Sequence, residues 1–164
     1  MRDEISEVLR ALGIAPEALA PVRLTQYERV LNTILNTFTT YGSRGRDQFW
    51  LWEGFKGEQA HAMLPEPLDP ALLLQFVAPD ERVWFVTEDW GGTKRDGHYW
   101  VFEGQTRAIT QLLQELFAFE YYLVAKDFSW LLCENHHNTL IGVGPTMVSR
   151  VRAFESARQQ NLQA

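Results

Sequence analysis

Four side chains able to do chemistry crowd into five positions: Cys133, Glu134, His136 and His137. Imidazoles titrate near neutral pH and serve in proton transfer or metal ligation. A thiol beside an imidazole is the pairing of a nucleophile with its base. A second group lies upstream, where Glu88, Asp89 and Trp90 are followed by Lys94 and Arg95. Its paired carboxylates suit acid–base work or a magnesium ion. Its tryptophan and arginine are types enriched at binding hot spots.

Each group has a plainer alternative. Asn135-His136-His137-Asn138 joins two strand-like runs, and asparagine and histidine tolerate left-handed backbone better than most residues. Turn geometry, contact with a partner, and metal or catalytic chemistry therefore all stay open for this tip. Adjacent residues of an extended chain point to opposite faces, which speaks against both imidazoles meeting one ion. Cys133 sits in Trp-Leu-Leu-Cys-Glu and fits a small buried hydrophobe; a nucleophile needs exposure and a nearby cation. The Glu88-Asp89-Trp90 stretch reads as a surface loop on a rigid sheet, with a solvated loop and a folded-back indole as the alternative. The candidate binding set is Glu88, Asp89, Trp90, Lys94, Arg95, Glu134, His136 and His137, with the tip and the loop sharing one surface. No catalytic residue, metal site or cofactor is assigned.

The elements that must position these groups follow from periodicity. Ile5, Val8, Leu9 and Leu12 form one helical stripe, stopped by Gly13. Pro16 and Pro21 mark a connector. Tyr27, Val30, Leu31, Ile34, Leu35 and Phe38 mark the apolar face of a second helix, for which Thr25 and Glu28 have capping-box spacing. Phe49-Trp50-Leu51-Trp52 is expected as a short aromatic strand. Residues Glu58 to Pro67 are expected to be irregular. Asp69-Pro70 reads as a helix start, with Leu72, Leu73, Phe76 and Val77 on its apolar side. Arg82 to Val86 and His98 to Phe102 are strands around the loop from Thr87 to Gly97. Thr106 is expected to cap a helix bearing Ile109, Leu112, Leu113, Leu116 and Phe117.

Three more strands are expected at Tyr121 to Ala125, Trp130 to Glu134 and Thr139 to Val143. A turn at Lys126-Asp127 joins the first two. Gly144-Pro145 ends the sheet and opens a last helix with Met147, Val148, Val151 and Phe154 in its stripe. Short connections between consecutive strands favour antiparallel pairing. The expected fold is α+β, a single domain over residues 1–164, with a central, mainly antiparallel sheet of about six strands and about five helices packed on it.

Composition narrows the function classes. At 164 residues with 46% hydrophobic content, the chain is a globular one. No apolar run reaches the roughly 20 residues that span a bilayer, and the charged start Met1-Arg2-Asp3-Glu4 does not read as a secretory signal. The expectation is a cytoplasmic protein with no membrane partner. One cysteine excludes a disulfide framework. Between Arg46 and Asp89 stand nine acidic and three basic residues, which carries the whole net charge of -6. Such a segment repels phosphate backbones and steers basic partners. Trp50, Trp52, Trp84, Trp100 and Trp130 are expected in strands, where core packing accounts for them better than base stacking does. No phosphate-binding loop, nucleophile elbow, HExxH or dinucleotide fingerprint occurs.

Two stretches carry a resemblance. EDWGGTKRDGHYWVFEG (88–104) and YYLVAKDFSWLLCENHHNTLIGVG (121–144) resemble an uncharacterised bacterial family of small cytoplasmic proteins with a similar WLLCENHH block. The layout and acidity are also similar to the SUKH superfamily, many of whose members are immunity proteins of bacterial toxin systems. That resemblance implies a non-enzymatic module that binds another protein, a basic toxin domain, through an acidic and aromatic surface. Neither resemblance supplies a catalytic residue. The alternatives are a small metal-dependent or hydrolytic enzyme using the His136/His137 tip, and a structural subunit or homodimer.

Overall fold

Strand residues 83–86 are apolar at every position, so a sheet containing them has to be covered on both faces. A computed structural model, which describes residues 1–89, 98–116 and 119–162 (of Leu162 the backbone only), has that form. Seven strands make one antiparallel sheet: β1 (Leu19–Pro21), β2 (Gln59–Met63), β3 (Arg82–Glu88), β4 (Tyr99–Gln105), β5 (Tyr121–Ala125), β6 (Leu131–Glu134) and β7 (Thr139–Val143), in the spatial order β1-β4-β3-β5-β6-β7-β2. The chain is thus α+β with a central antiparallel sheet.

Alternation sorts the two faces. Val83, Phe85, Phe102, Tyr121, Leu123, Leu132 and Leu140 enter one core. Into it α1 (Arg2–Ala11) contributes Ile5 and Leu9, α3 (Thr106–Glu115) Ile109 and Leu112, and α4 (Pro145–Leu162) Met147, Val148 and Val151. Trp84, Val86, Tyr99, Val101, Tyr122, Val124, Cys133 and Ile141 face the other core, closed by α2 (Leu24–Phe38). The six residues of the expected α2 stripe are all buried there, each worth roughly 1.5–3 kcal/mol if it is large and aliphatic. α4 lies close on β7 because Gly142 has no side chain: a Cβ there would stand 2.8 Å from Val151 Cγ2.

Five local expectations change. The connector with Pro16 and Pro21 contains β1, a three-residue edge strand in which proline is tolerated. The stretch expected to be irregular contains β2, which pairs with β7 before Pro65 and Pro67 intervene. Thr25 and Glu28 make no capping box: the Val22 N–H is held by the Val101 carbonyl at 2.9 Å, and the helix begins at once on Leu24 with Arg23 as N-cap. Thr106 likewise lies inside α3, whose N-cap is Gln105; its hydroxyl donates to the Glu81 carbonyl instead. Phe49 to Trp52 is not a strand, and its tryptophans leave the sheet. A 3₁₀ segment at Gly42–Asp47 precedes it and a second, Leu51–Gly54, takes in Leu51 and Trp52, and the Tyr99 hydroxyl donates to the carbonyls of Gln48 and Phe49 at 2.8 and 3.0 Å. With Leu51 buried, Phe49 and Trp50 turn outward. Asp69 does cap as expected, accepting from Ala71 N at 2.9 Å, though the segment Pro70–Gln75 is 3₁₀.

Candidate functional site

The β6–β7 connection is built by asparagines. The Asn135 side chain accepts from the N–H groups of His137 at 3.0 Å and Thr139 at 3.1 Å. Asn138 N–H closes back on the Asn135 carbonyl at 3.0 Å. Asn138 takes the left-handed conformation, φ 55°, which its short polar side chain tolerates. His136 and His137 therefore occupy a tight turn, not an extended chain. Their rings lie 4.0 Å apart, centroid to centroid, contrary to the strand-like divergence expected of neighbours.

Beneath the turn lies Glu120, a carboxylate that the sequence reading overlooked. Its side chain is wholly buried, immediately before β5. It accepts from Trp52 Nε1 at 3.0 Å, from His136 Nδ1 at 3.1 Å and from the Tyr122 hydroxyl. Burial pushes this carboxyl above the usual carboxylate range, against the opposing pull of those donors. A charged residue directly before an apolar strand was the available signal, since such a residue is seldom buried without partners.

An aromatic surface surrounds the imidazoles. Trp50 lies 5.3 Å from His136, and Trp52 stands edge-on to His136 and His137 at 6.0 and 5.7 Å. Phe49 stacks on His98 at 4.8 Å. Phe49 and Trp50 are 50% and 38% exposed, so much of this hydrophobic area faces water. Asp47 and Glu53, both exposed, flank it in the chain. Arg46 is engaged by Glu28 and Asn32.

Glu134 closes β6 on the opposite sheet face. It is buried, accepts from Leu68 N and from the Tyr121 hydroxyl at 2.7 Å each, and is raised by burial above its ordinary value. It lines a cavity of about 260 Å³, as do Asn135, His136 and Asn138 of the turn.

The upstream candidates lie elsewhere. Glu88 ends β3 and is buried, as is Asp89, so neither belongs to an exposed loop. Asp89 accepts from Trp100 Nε1 and lies 3.7 Å from the Met1 amino group. They turn inward because β3 stays paired to β4 as far as Glu88–Tyr99. The surface partner of the His136/His137 tip is the Phe49–Trp52 segment in place of Glu88 and Asp89. Trp90, Lys94 and Arg95 lie outside the described residues, as does Phe117. Cys133 is buried, and its thiol is pushed well up by burial and by the carboxylates of Glu120, Glu134 and Glu88. Such a thiol is a packing group, not a nucleophile. Among the described residues no cluster of three histidine, cysteine, aspartate or glutamate side chains is arranged to hold a metal ion, and no helix is long and apolar enough to cross a membrane.

A protein-family model described as a family of unknown function (DUF6756) matches residues 1–155. No curated protein and no solved structure matches the chain.

Proposed function

The chain belongs to that family of unknown function, and we propose that it is a non-enzymatic protein-binding module. Its contact surface is the His136/His137 tip together with Phe49, Trp50 and Trp52. One observation carries the proposal: Trp50, exposed next to the exposed Phe49, stands beside an imidazole that a buried carboxylate fixes in place. Surface area of this kind is rarely left to water without use, and tryptophan is a frequent binding anchor. Rigid mounting reduces the ordering cost of association.

The partner best matched is basic. Asp47 and Glu53 border the aromatics, and five further acids of the 46–89 segment, Glu58, Glu66, Asp69, Asp80 and Glu81, are exposed or half-exposed rather than buried. The sharper form of the proposal is an immunity protein that neutralises a basic toxin domain in a bacterial cytoplasm. Its support is the acidity of this segment and the resemblance in layout to the SUKH superfamily.

The test is affinity capture from the source cell with wild type and Trp50→Ala side by side. The expected result is one stoichiometric partner, lost from the variant and weakened by salt. For the immunity form, the captured partner expressed alone should arrest growth, and co-expression of this chain should restore it. A wild-type protein that captures no stoichiometric partner overturns the proposal.

A second reading rests on the same 3.1 Å contact. A carboxylate that orients an imidazole beside a cavity is also the arrangement of a general base. Substrate turnover abolished by both His136→Ala and Glu120→Gln would favour it over the binding module.

A further inference from the structure

Glu134 has an unusual position for an acid. It is buried and lines the 260 Å³ cavity. Both its partners, Leu68 N–H and the Tyr121 hydroxyl, are neutral donors. No lysine, arginine or histidine of the described residues forms an ion pair with it. Each carboxylate oxygen has one donor and room for a second. A buried carboxylate with no countercharge is expensive to ionise.

One side of the cavity is apolar, while Asn135, His136 and Asn138 of the β6–β7 turn line it beside Glu134. Pro67, Pro70, Leu113, Leu116 and Phe119 make the apolar walls. A dry cavity of about 150 Å³ accepts benzene, so this one holds a body larger than a single ring. The lining includes His136, whose Nδ1 is already committed to Glu120.

We propose that this cavity binds a small organic ammonium, its apolar body against Leu113, Leu116 and Phe119 and its ammonium head on Glu134. The ammonium supplies the countercharge that the protein lacks and fills the free acceptor positions of the carboxylate. A neutral alcohol of the same shape offers one donor and no charge. An anion meets repulsion. The site adjoins the proposed partner surface and shares His136 with it, but Phe49, Trp50 and Trp52 do not line the cavity.

The experiment is a calorimetric and amide-NMR titration of the full chain at pH 7.5 with three probes: phenethylamine, 2-phenylethanol and 3-phenylpropionate. Phenethylamine should bind saturably and shift the Leu68 amide signal, at least tenfold more tightly than 2-phenylethanol, with 3-phenylpropionate weakest. Glu134→Gln should bring amine and alcohol to within about threefold while keeping the native circular dichroism. Should that variant fail to fold, Leu116→Trp, which narrows the cavity from a half-buried wall position, should weaken phenethylamine tenfold or more. Trp50→Ala should leave amine binding unchanged, because Trp50 does not line the cavity, so failure of this proposal and failure of the partner surface are told apart. Equal binding of amine and alcohol to wild type, preference for the anion, absence of saturable amine binding, or an amine preference that survives Glu134→Gln would each overturn the proposal.

Discussion

Glu120 and Glu134 stand on opposite faces of the same sheet end, one strand apart. Tyr121 pairs with Glu134 across β5 and β6 and donates to it. Glu120 precedes Tyr121, so alternation turns it to the other face, where Tyr122 donates to it. His136 touches both environments, bonded to Glu120 and lining the same cavity as Glu134.

Removing the Glu120 carboxylate leaves the buried Tyr122 hydroxyl and the Trp52 N–H without an acceptor. Glu120→Ala should cost about 2–3 kcal/mol, from the unsatisfied donors and the vacated volume. Glu120→Gln keeps one acceptor and relieves the burial of charge, so it should lie within about 1 kcal/mol of wild type. Urea unfolding of both variants at pH 7 reads the difference. An alanine variant as stable as wild type would show that the anchor is not structural.

The pH dependence of Glu134 follows from the direction of its shift. Its folded-state value is raised above the ordinary carboxylate value of 4.5. Between the two values the native state binds more protons than the unfolded chain, so stability falls as pH rises through this window. Below the ordinary value the contribution is fully present. Glu134→Gln lacks this ionisation. Subtracting its unfolding free energy from that of wild type at each pH from 4 to 8 should give a difference that declines as pH rises and then levels. A rising difference would contradict the assignment.

Cys133 should ignore thiol reagents in the native state. It is fully buried and its thiolate is disfavoured by burial and three carboxylates. Labelling with a chromogenic disulfide should proceed at the rate of protein opening and become fast in 6 M guanidinium (a condition in which small domains unfold). Rapid native labelling would revive the thiol as a candidate nucleophile.

Two turns should respond differently to substitution. Gly144 has φ 88° and its missing Cβ would strike the Ser129 carbonyl oxygen, so Gly144→Ala should cost about 3 kcal/mol or more. Asn138 at φ 55° already accepts that backbone region. Asn138→Gly should stay within about 0.5 kcal/mol, whereas Asn138→Ala should cost about 1 kcal/mol. Thermal unfolding of the three variants ranks them.

Legibility followed local regularity. The α2 stripe from Tyr27 to Phe38 could be read because every contact of that helix repeats with its own turn. β3 to β7 were visible as dense apolar runs. β1 and β2 were not, because each has few apolar residues and is held by pairing to a strand far along the chain, Leu19 to Gly104 and Gln59 to Val143. The same limit hid the site. His136 and its neighbour were noticeable as types, yet what gives them meaning are Glu120, sixteen residues away, and Trp52, sixty-eight residues from that glutamate. Trp50 and Trp52 read as strand residues in the sequence because aromatic content alone does not distinguish a buried pleat from an outward-facing turn. Glu88 and Asp89 read as loop residues because the sequence does not mark how far β3 stays paired.

The bond from Trp52 to Glu120 gives the protein an optical reporter of its own. An indole's emission wavelength responds to the electric field across the ring. The carboxylate that accepts its N–H has a raised ionisation point. As that carboxylate gains or loses its proton, a full charge appears or vanishes beside the fluorophore. The difference spectrum between wild type and Trp52→Phe therefore isolates one chromophore among six tryptophans. It would register anything that seats itself on the neighbouring imidazoles, without a dye or a label.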